Sequence, residues 1–229
     1  MKILFVAVMS SLISACQPAP LTCEQLLKPV DKGPVITGKW YYIALATETC
    51  LPSTLFSSLL SPSLTADVTS KDTANVFAAR TYVKMFGHCY NESEAIFYDN
   101  NKMFDVDKNN APTGEPDIVL QTSCPDCLVV KSADVLDTVV FLSRRSVVTD
   151  AELREFAIQA KCLGWSKPEV LGTDHDYVNC KELDMDGDLT EDQSTAMLQF
   201  FAEKMQQSRQ KIIKCLTEFI ISYLPSYLT

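Results

Sequence analysis

The sequence predicts an all-β protein: an eight-stranded antiparallel up-and-down barrel, one α-helix packed outside it, and a C-terminal helical extension. Three observations carry this. Eight short β-prone runs follow one another at a spacing of about 8–15 residues, with polar turns between them. One amphipathic helix with a clear start signal follows the last run. A Gly-x-Trp stands at the entry to the first run, where a closed barrel needs a plug.

The runs, in order, are Lys39–Thr47, Leu64–Thr69, Asn75–Lys84, His88–Tyr98, Lys102–Asp107, Asp117–Ser123, Cys127–Lys131 and Thr138–Ser143. The third and fourth join at a tight Gly87 corner. "KNNAPTGEP" reads as the loop after the fifth. "CPDC", Cys124–Cys127, lies between two strand-like runs and reads as a hairpin turn rather than as a redox motif or half a zinc site. The stretch Pro52–Pro62, "PSTLFSSLLSP", is long for a hairpin and carries Leu55, Phe56, Leu59 and Leu60; it is either a lid or a loop packed on the rim.

Thr149 and Glu152 form a capping box that opens a helix over Asp150–Leu163. Leu153, Phe156, Ala157, Ala160 and Leu163 share one face, which must lie on the outside of the sheet. A final segment, about Glu191–Leu224, reads as one or two helices, with a second capping box at Thr190 and Gln193. Met197, Phe200, Phe201, Met205, Ile212, Ile213, Leu216, Phe219 and Ile220 form its apolar stripe. That stripe must bury against the barrel, a partner or a lipid surface.

A barrel of eight strands encloses room for one small ligand and removes edge strands, but one end must be plugged. Trp40 is the expected plug, Gly38 lets the chain enter tightly, and Arg144 at the end of the last strand is the cation expected to stack on the ring. Tyr42, Phe77, Tyr82, Ile96 and Leu120 are the expected ligand-binding residues of the interior, placed there by strand parity from Trp40.

The 229 residues are 47% hydrophobic and 21% charged, with a net charge of −9. That suits one globular domain with an appendage, and the acidic balance argues against nucleic acid. Residues 1–16, "MKILFVAVMSSLISAC", have a basic start, an apolar core too short to span a bilayer, and small residues at Ser14 and Cys16. They read as a secretory signal with Gln17 first in the mature chain, "ISAC" as a lipobox being the rival. Removing Cys16 leaves eight of nine cysteines, an even number that fits a disulfide-bonded exported protein. Residues 17–183 would form the barrel domain, and 184–229 an acidic linker with the helical tail.

Chemistry is sparse. The only histidines are His88 and His175, and neither stands in a nucleophile–base pattern. "ELDMDGDLTEDQ", Glu182–Gln193, resembles a calcium loop but begins with Glu and lacks the terminal bidentate Glu, so it reads as a solvated linker. No metal, no cofactor and no catalysis are expected.

Four stretches together resemble the lipocalin family, within it the alpha-1-acid glycoprotein (orosomucoid) branch, and most of all the fish saxitoxin-, tetrodotoxin- and tributyltin-binding proteins. They are "PLTCEQLLKPV" followed by "ITGKWYYIA", then "HCYN", "ELREFAIQAKCLGWSKPEV" and "TDHDYVNCKEL". The likeness runs in order over about Pro20–Leu183. The family's second motif, Thr-Asp-Tyr, is missing; "SAD", Ser132–Asp134, stands near its place. The resemblance implies disulfides Cys23–Cys162 and Cys89–Cys180 and glycosylation at Asn91, the Asn of the "NES" sequon. Cys124–Cys127 and Cys50–Cys215 are further candidate pairs. It also implies carriage without turnover, in plasma-like fluid, of a small hydrophobic or amphipathic ligand such as a toxin, organotin, steroid or drug-like molecule, and the acidic net charge favours cations among these by steering. A thiol left unpaired at Cys50 or Cys215 would favour organotin. The alternative is an apolipoprotein-like contact with lipid, lipoprotein or protein through the C-terminal helix.

Overall fold

The computed structural model describes residues 21–132, 136–182 and 191–223. The signal segment Met1–Cys16, most of Ser132–Asp134, most of the calcium-like loop and the Thr190 cap lie outside the described residues.

Eight antiparallel strands close on themselves: β1 (Gly38–Thr47), β2 (Ser63–Ser70), β3 (Val76–Met85), β4 (His88–Asp99), β5 (Lys102–Val106), β6 (Pro112–Leu120), β7 (Cys127–Ser132) and β8 (Thr138–Ser143). Each pairs with the next, and β8 returns to β1, so no edge of these eight is left open. Turns with left-handed residues join β2 to β3, β3 to β4, β4 to β5 and β5 to β6; at β3–β4 these are Phe86 and Gly87. The strand β6 starts at Pro112, earlier than the expected Asp117, so the second half of the supposed loop is ladder. Pro112 is tolerated because it opens the strand and needs no donor.

Period-two alternation assigns the two faces. Inside are Trp40, Val68, Ala79, Ile96, Leu128 and Leu142, with Phe77 and Met103 packed on them. Outside, under the helix Asp150–Cys162, are Ile43, Leu120, Val129, Val139 and Phe141. A bulge between Tyr42 and Ala44 shifts the β1–β8 register, and beyond it Ala44 and Ala46 face outward with Ile43.

Outside the barrel, α1 (Cys23–Leu26) precedes β1, and α3 (Asp150–Cys162) follows β8. The capping box on α3 forms: Thr149 N donates to Glu152 Oε2 at 2.7 Å, and Glu152 N donates to Thr149 Oγ1 at 3.3 Å. Phe156 stacks on Phe141 with centroids 5.2 Å apart. Gln159, 1% exposed, donates from Nε2 to Leu26 O at 2.6 Å and to Gln121 O at 3.2 Å. Helix periodicity gives no hint that a polar residue holds α1 and the end of β6 together.

The stretch between β1 and β2 is helical. It comprises α2 (Cys50–Leu55) and a π-helical turn at Phe56–Leu60, ended by Ser61 in the left-handed region. Pro52 falls in the first turn, where a missing donor costs little. This strap lies beneath α4 (Glu191–Tyr223), one continuous helix. Phe200 and Phe201 pack on Phe86 with centroids at 5.3 and 4.9 Å, and Ile212 is buried. Glu169, in the short β9 (Glu169–Val170), accepts from Thr54 and Ser57 of the strap and pairs with Lys211 of α4. The expected stripe therefore divides. Phe200, Phe201 and Ile212 face the domain, while Met205, Ile213, Leu216 and Ile220 are exposed.

Four disulfides join Cys23–Cys162, Cys89–Cys180, Cys50–Cys215 and Cys124–Cys127. Cys89–Cys180 brings β10 (Lys181–Glu182) parallel to the start of β4. Cys50–Cys215 closes a sequence separation of 165 residues between strap and tail. In the chain-entropy view a loop that long stabilises by about 4–5 kcal/mol. Replacing both cysteines by serine should lower unfolding stability by about 2–4 kcal/mol in a urea titration. Under limited proteolysis α4 should then be the first element lost.

The base of the barrel is closed by one stack. Trp40, 4% exposed, donates from Nε1 to Ile36 O at 2.7 Å. Arg144 Cζ lies 3.7 Å from the centroid of its ring. The same guanidinium donates to Lys39 O at 3.2 Å and Val35 O at 2.9 Å. Gly38 has φ +98°, and a Cβ there would stand 2.8 Å from Arg144 Nη1. Gly38→Ala should cost about 1–3 kcal/mol by combining left-handed strain with displacement of that cation. Urea unfolding checks it; an unchanged midpoint would exclude this account of the glycine.

Candidate functional site: an acidic chamber inside the barrel

Above the Trp40 floor the barrel encloses a cavity of about 310 Å³. Its lower wall is apolar: Ile36, Trp40, Val68, Ala79, Leu128 and Leu142. Higher up the walls carry Glu94 of β4, Asp105 of β5, and Glu115 and Asp117 of β6. No Lys, Arg or His lines it among the described residues.

Local structure explains the acids. On β4 the inward set is Tyr90, Glu92, Glu94 and Ile96, alternating with outward residues. Asp105 is paired across from Ile96, so it inherits the inward face. Asp117 precedes Ile118, which packs outward under α3. A Gly at 114 keeps the wall low beside Glu115.

Like charges in a walled space perturb one another. Glu94 is held above its ordinary carboxylate value, first by burial and then by Asp105, Glu92 and Asp117. The Tyr42 phenol is pushed up by burial, with Glu94 and Asp117 adding to it. The chamber is a place where negative charge is crowded and a cation would relieve it.

Of the residues expected to bind ligand, Tyr42 and Ile96 line this chamber. Phe77 is on the inner side but below it, edge-on to Tyr98 at 6.3 Å. Tyr82 and Leu120 are corrections. Tyr82 is outside, with Arg80 5.3 Å over its ring and Tyr177 at 5.8 Å. Leu120 is outside, in the cluster under α3. The physical reason is register: parity counted from Trp40 holds along β1 only, and each neighbouring strand resets it by its own pairing. The acids were the residues sequence reasoning passed over. Their signal was available, because placing Ile96 inside places Glu94 and Glu92 inside as well, two and four positions earlier on one strand.

Other candidates fall elsewhere. Asn91 faces outward, its Oδ1 accepting from Arg80 Nε at 3.0 Å and Nη2 at 2.8 Å. His88 Nδ1 is 3.0 Å from Phe86 O, and His175 Nδ1 is 3.3 Å from the Tyr177 hydroxyl. Neither histidine lines a chamber. Cys124, Asp126, Cys127 and Glu152 are clustered as a metal site would be. Their sulfurs are joined to each other, however, and both carboxylates bind Arg145, at 2.7 Å each. The candidate pair Cys50–Cys215 is formed, so neither sulfur is the unpaired thiol that would favour organotin.

No protein-family model and no curated protein matches the chain. Solved structures do. The siderocalin Ex-FABP, described as functioning through dual ligand specificities, is 16% identical over 65% of this chain and 98% of its own, with a TM-score of 0.49. A dog lipocalin allergen is 15% identical over 66% of this chain and 100% of its own, TM-score 0.43. Lipocalin 12 from rat epididymis is 18% identical over 71% and 91%, TM-score 0.47. Identities this low fix no side-chain role here.

The raised Glu94 predicts a stability effect of definite sign. A carboxyl whose folded value is raised favours folding fully below its unfolded value, and that advantage is lost as pH rises through the folded value. Glu94→Gln should therefore be more stable than the parent at neutral pH, with the difference vanishing below about pH 4. Urea midpoints at the two pH values test this; a variant less stable at neutral pH would contradict it.

Proposed function

We propose that this protein is a secreted carrier of the lipocalin type, orosomucoid-like, that holds a small amphipathic organic cation in the barrel chamber and releases it unchanged. The observation that carries the reading is the lining: carboxylates at Glu94, Asp105, Glu115 and Asp117 above an apolar floor at Trp40. An apolar body fits the floor, and a guanidinium, amine or quaternary ammonium meets the acids. The net charge of −9 steers cations toward the protein from solution.

Among the ligand classes expected from the sequence, guanidinium toxins and basic drugs match this chamber best. A steroid gains nothing from the carboxylates. A tin compound finds no thiol, every cysteine of the described residues being in a disulfide. The four disulfides fit an extracellular protein, and export through residues 1–16 with Gln17 as the mature start completes the reading. The "NES" sequon adds a glycan at Asn91, on the outer face of β4.

Isothermal titration with benzyltrimethylammonium and its uncharged carbon isostere, neopentylbenzene, tests the reading. The cation should bind at least about tenfold more tightly, a difference of about 1.4 kcal/mol. Equal affinity, or no binding of the cation to folded, disulfide-bonded protein, would overturn it. Protons and the cation compete for Glu94. Affinity for the cation should therefore fall as pH drops through the raised Glu94 value, while any binding of the isostere stays level. Glu94→Gln should reproduce the loss at neutral pH.

A further inference from the structure

A second cavity, also of about 310 Å³, lies beyond the first toward the mouth of the barrel. Its roof is the strap: Phe56 and Leu60 of the π-helical turn, then Pro62. Its walls are Leu64, Val83 and Met85, with Tyr90 beside them. Glu92 lines it, and Glu94 lines both cavities. Glu94 thus stands at the boundary between the acidic chamber and the mouth cavity.

We propose that the mouth cavity is a second ligand compartment. In it the strap covers the apolar tail of an elongated cation whose charged centre rests at Glu94 and whose other end reaches toward Trp40. This rests on the cation reading above and names the shape of the ligand. The continuity of the two cavities at Glu94 favours one molecule over two, because a single ligand can cross that boundary. One cation with apolar groups on both sides meets Glu94 once and covers both sets of walls.

The roof is built to stay in place. Cys50–Cys215 ties the first turn of the strap to α4. Glu169 receives Thr54 Oγ1 at 3.3 Å and Ser57 Oγ at 3.2 Å while paired to Lys211. Lys204 Nζ reaches Ser61 Oγ at 3.5 Å, where the strap ends. The tail helix thereby acquires a role in ligand binding without touching ligand: it holds Phe56 and Leu60 over the mouth. A strap free of α4 would leave the tail of the ligand in water.

The full-length, disulfide-bonded protein is titrated with benzyltrimethylammonium and with alkyltrimethylammonium ions from butyl to decyl, reading Trp40 fluorescence and heat. Affinity should keep rising with chain length through decyl, because each added methylene is buried beneath the strap. Leu64→Phe and Met85→Trp, made separately, fill the mouth cavity from two walls. Either should weaken the decyl ion by about tenfold or more while moving benzyltrimethylammonium by less than about twofold. Affinity that levels off at butyl overturns the second compartment. So does a decyl ion unaffected by a variant that still binds benzyltrimethylammonium normally. Failure of benzyltrimethylammonium on the unaltered protein overturns the cation reading itself, which separates the two failures.

Discussion

Everything in this barrel depends on the stack of Arg144 on Trp40. A closed sheet of eight strands has a hollow axis, and without a floor its interior would be a water-filled tube. The indole fills the base, and the guanidinium covers it from outside while satisfying the carbonyls of Val35 and Lys39. Three groups from both ends of the ladder meet there: the glycine at the start of β1, the indole two residues on, and the arginine just past β8. Because the floor is sealed, the inward residues above it face a bounded space instead of bulk solvent. That boundary makes Glu94 and its neighbours an acidic chamber rather than ordinary surface acids.

The acids cost stability that a purely apolar lining would not. Four carboxylates near one space repel one another, and burial adds to the penalty, as the raised Glu94 records. A protein selected only to fold would place valines on those strands. Acids in a chamber whose described lining holds no Lys, Arg or His are the pattern expected of the cation site proposed above. In the proposed cation reading, stability and binding are opposed at the same side chain.

The outer layer serves the mouth of the barrel. The helix α3 covers one flank of the sheet with Phe156 on Phe141 and leaves the interior untouched. The strap and α4 instead gather at the open end, joined by a disulfide and by the Glu169 hub. The Cys50–Cys215 closure adds to the packing of Phe200 and Phe201 on Phe86 there.

The sequence by itself determined the eight strands, the helix α3 with its Thr149–Glu152 cap, and the tail helix. These rest on local signals: alternation, capping chemistry and turn residues act within a few positions. The strap escaped such a reading because Pro52 and three serines look like a loop until they are seen packed beneath α4. What only the tertiary structure decided is which side of each strand looks inward. Tyr82 and Leu120 belong to apolar or aromatic runs as plainly as Ile96 does, yet both lie outside. Facing is set by pairing register between strands, and the bulge after Tyr42 reverses it within one strand. The acids of β4, β5 and β6 look like solvent-facing residues in the sequence. Closure of the ladder between β4 and β5 turns them into the wall of one chamber. Convergence from three strands is a property of the closed sheet, and no single strand carries it.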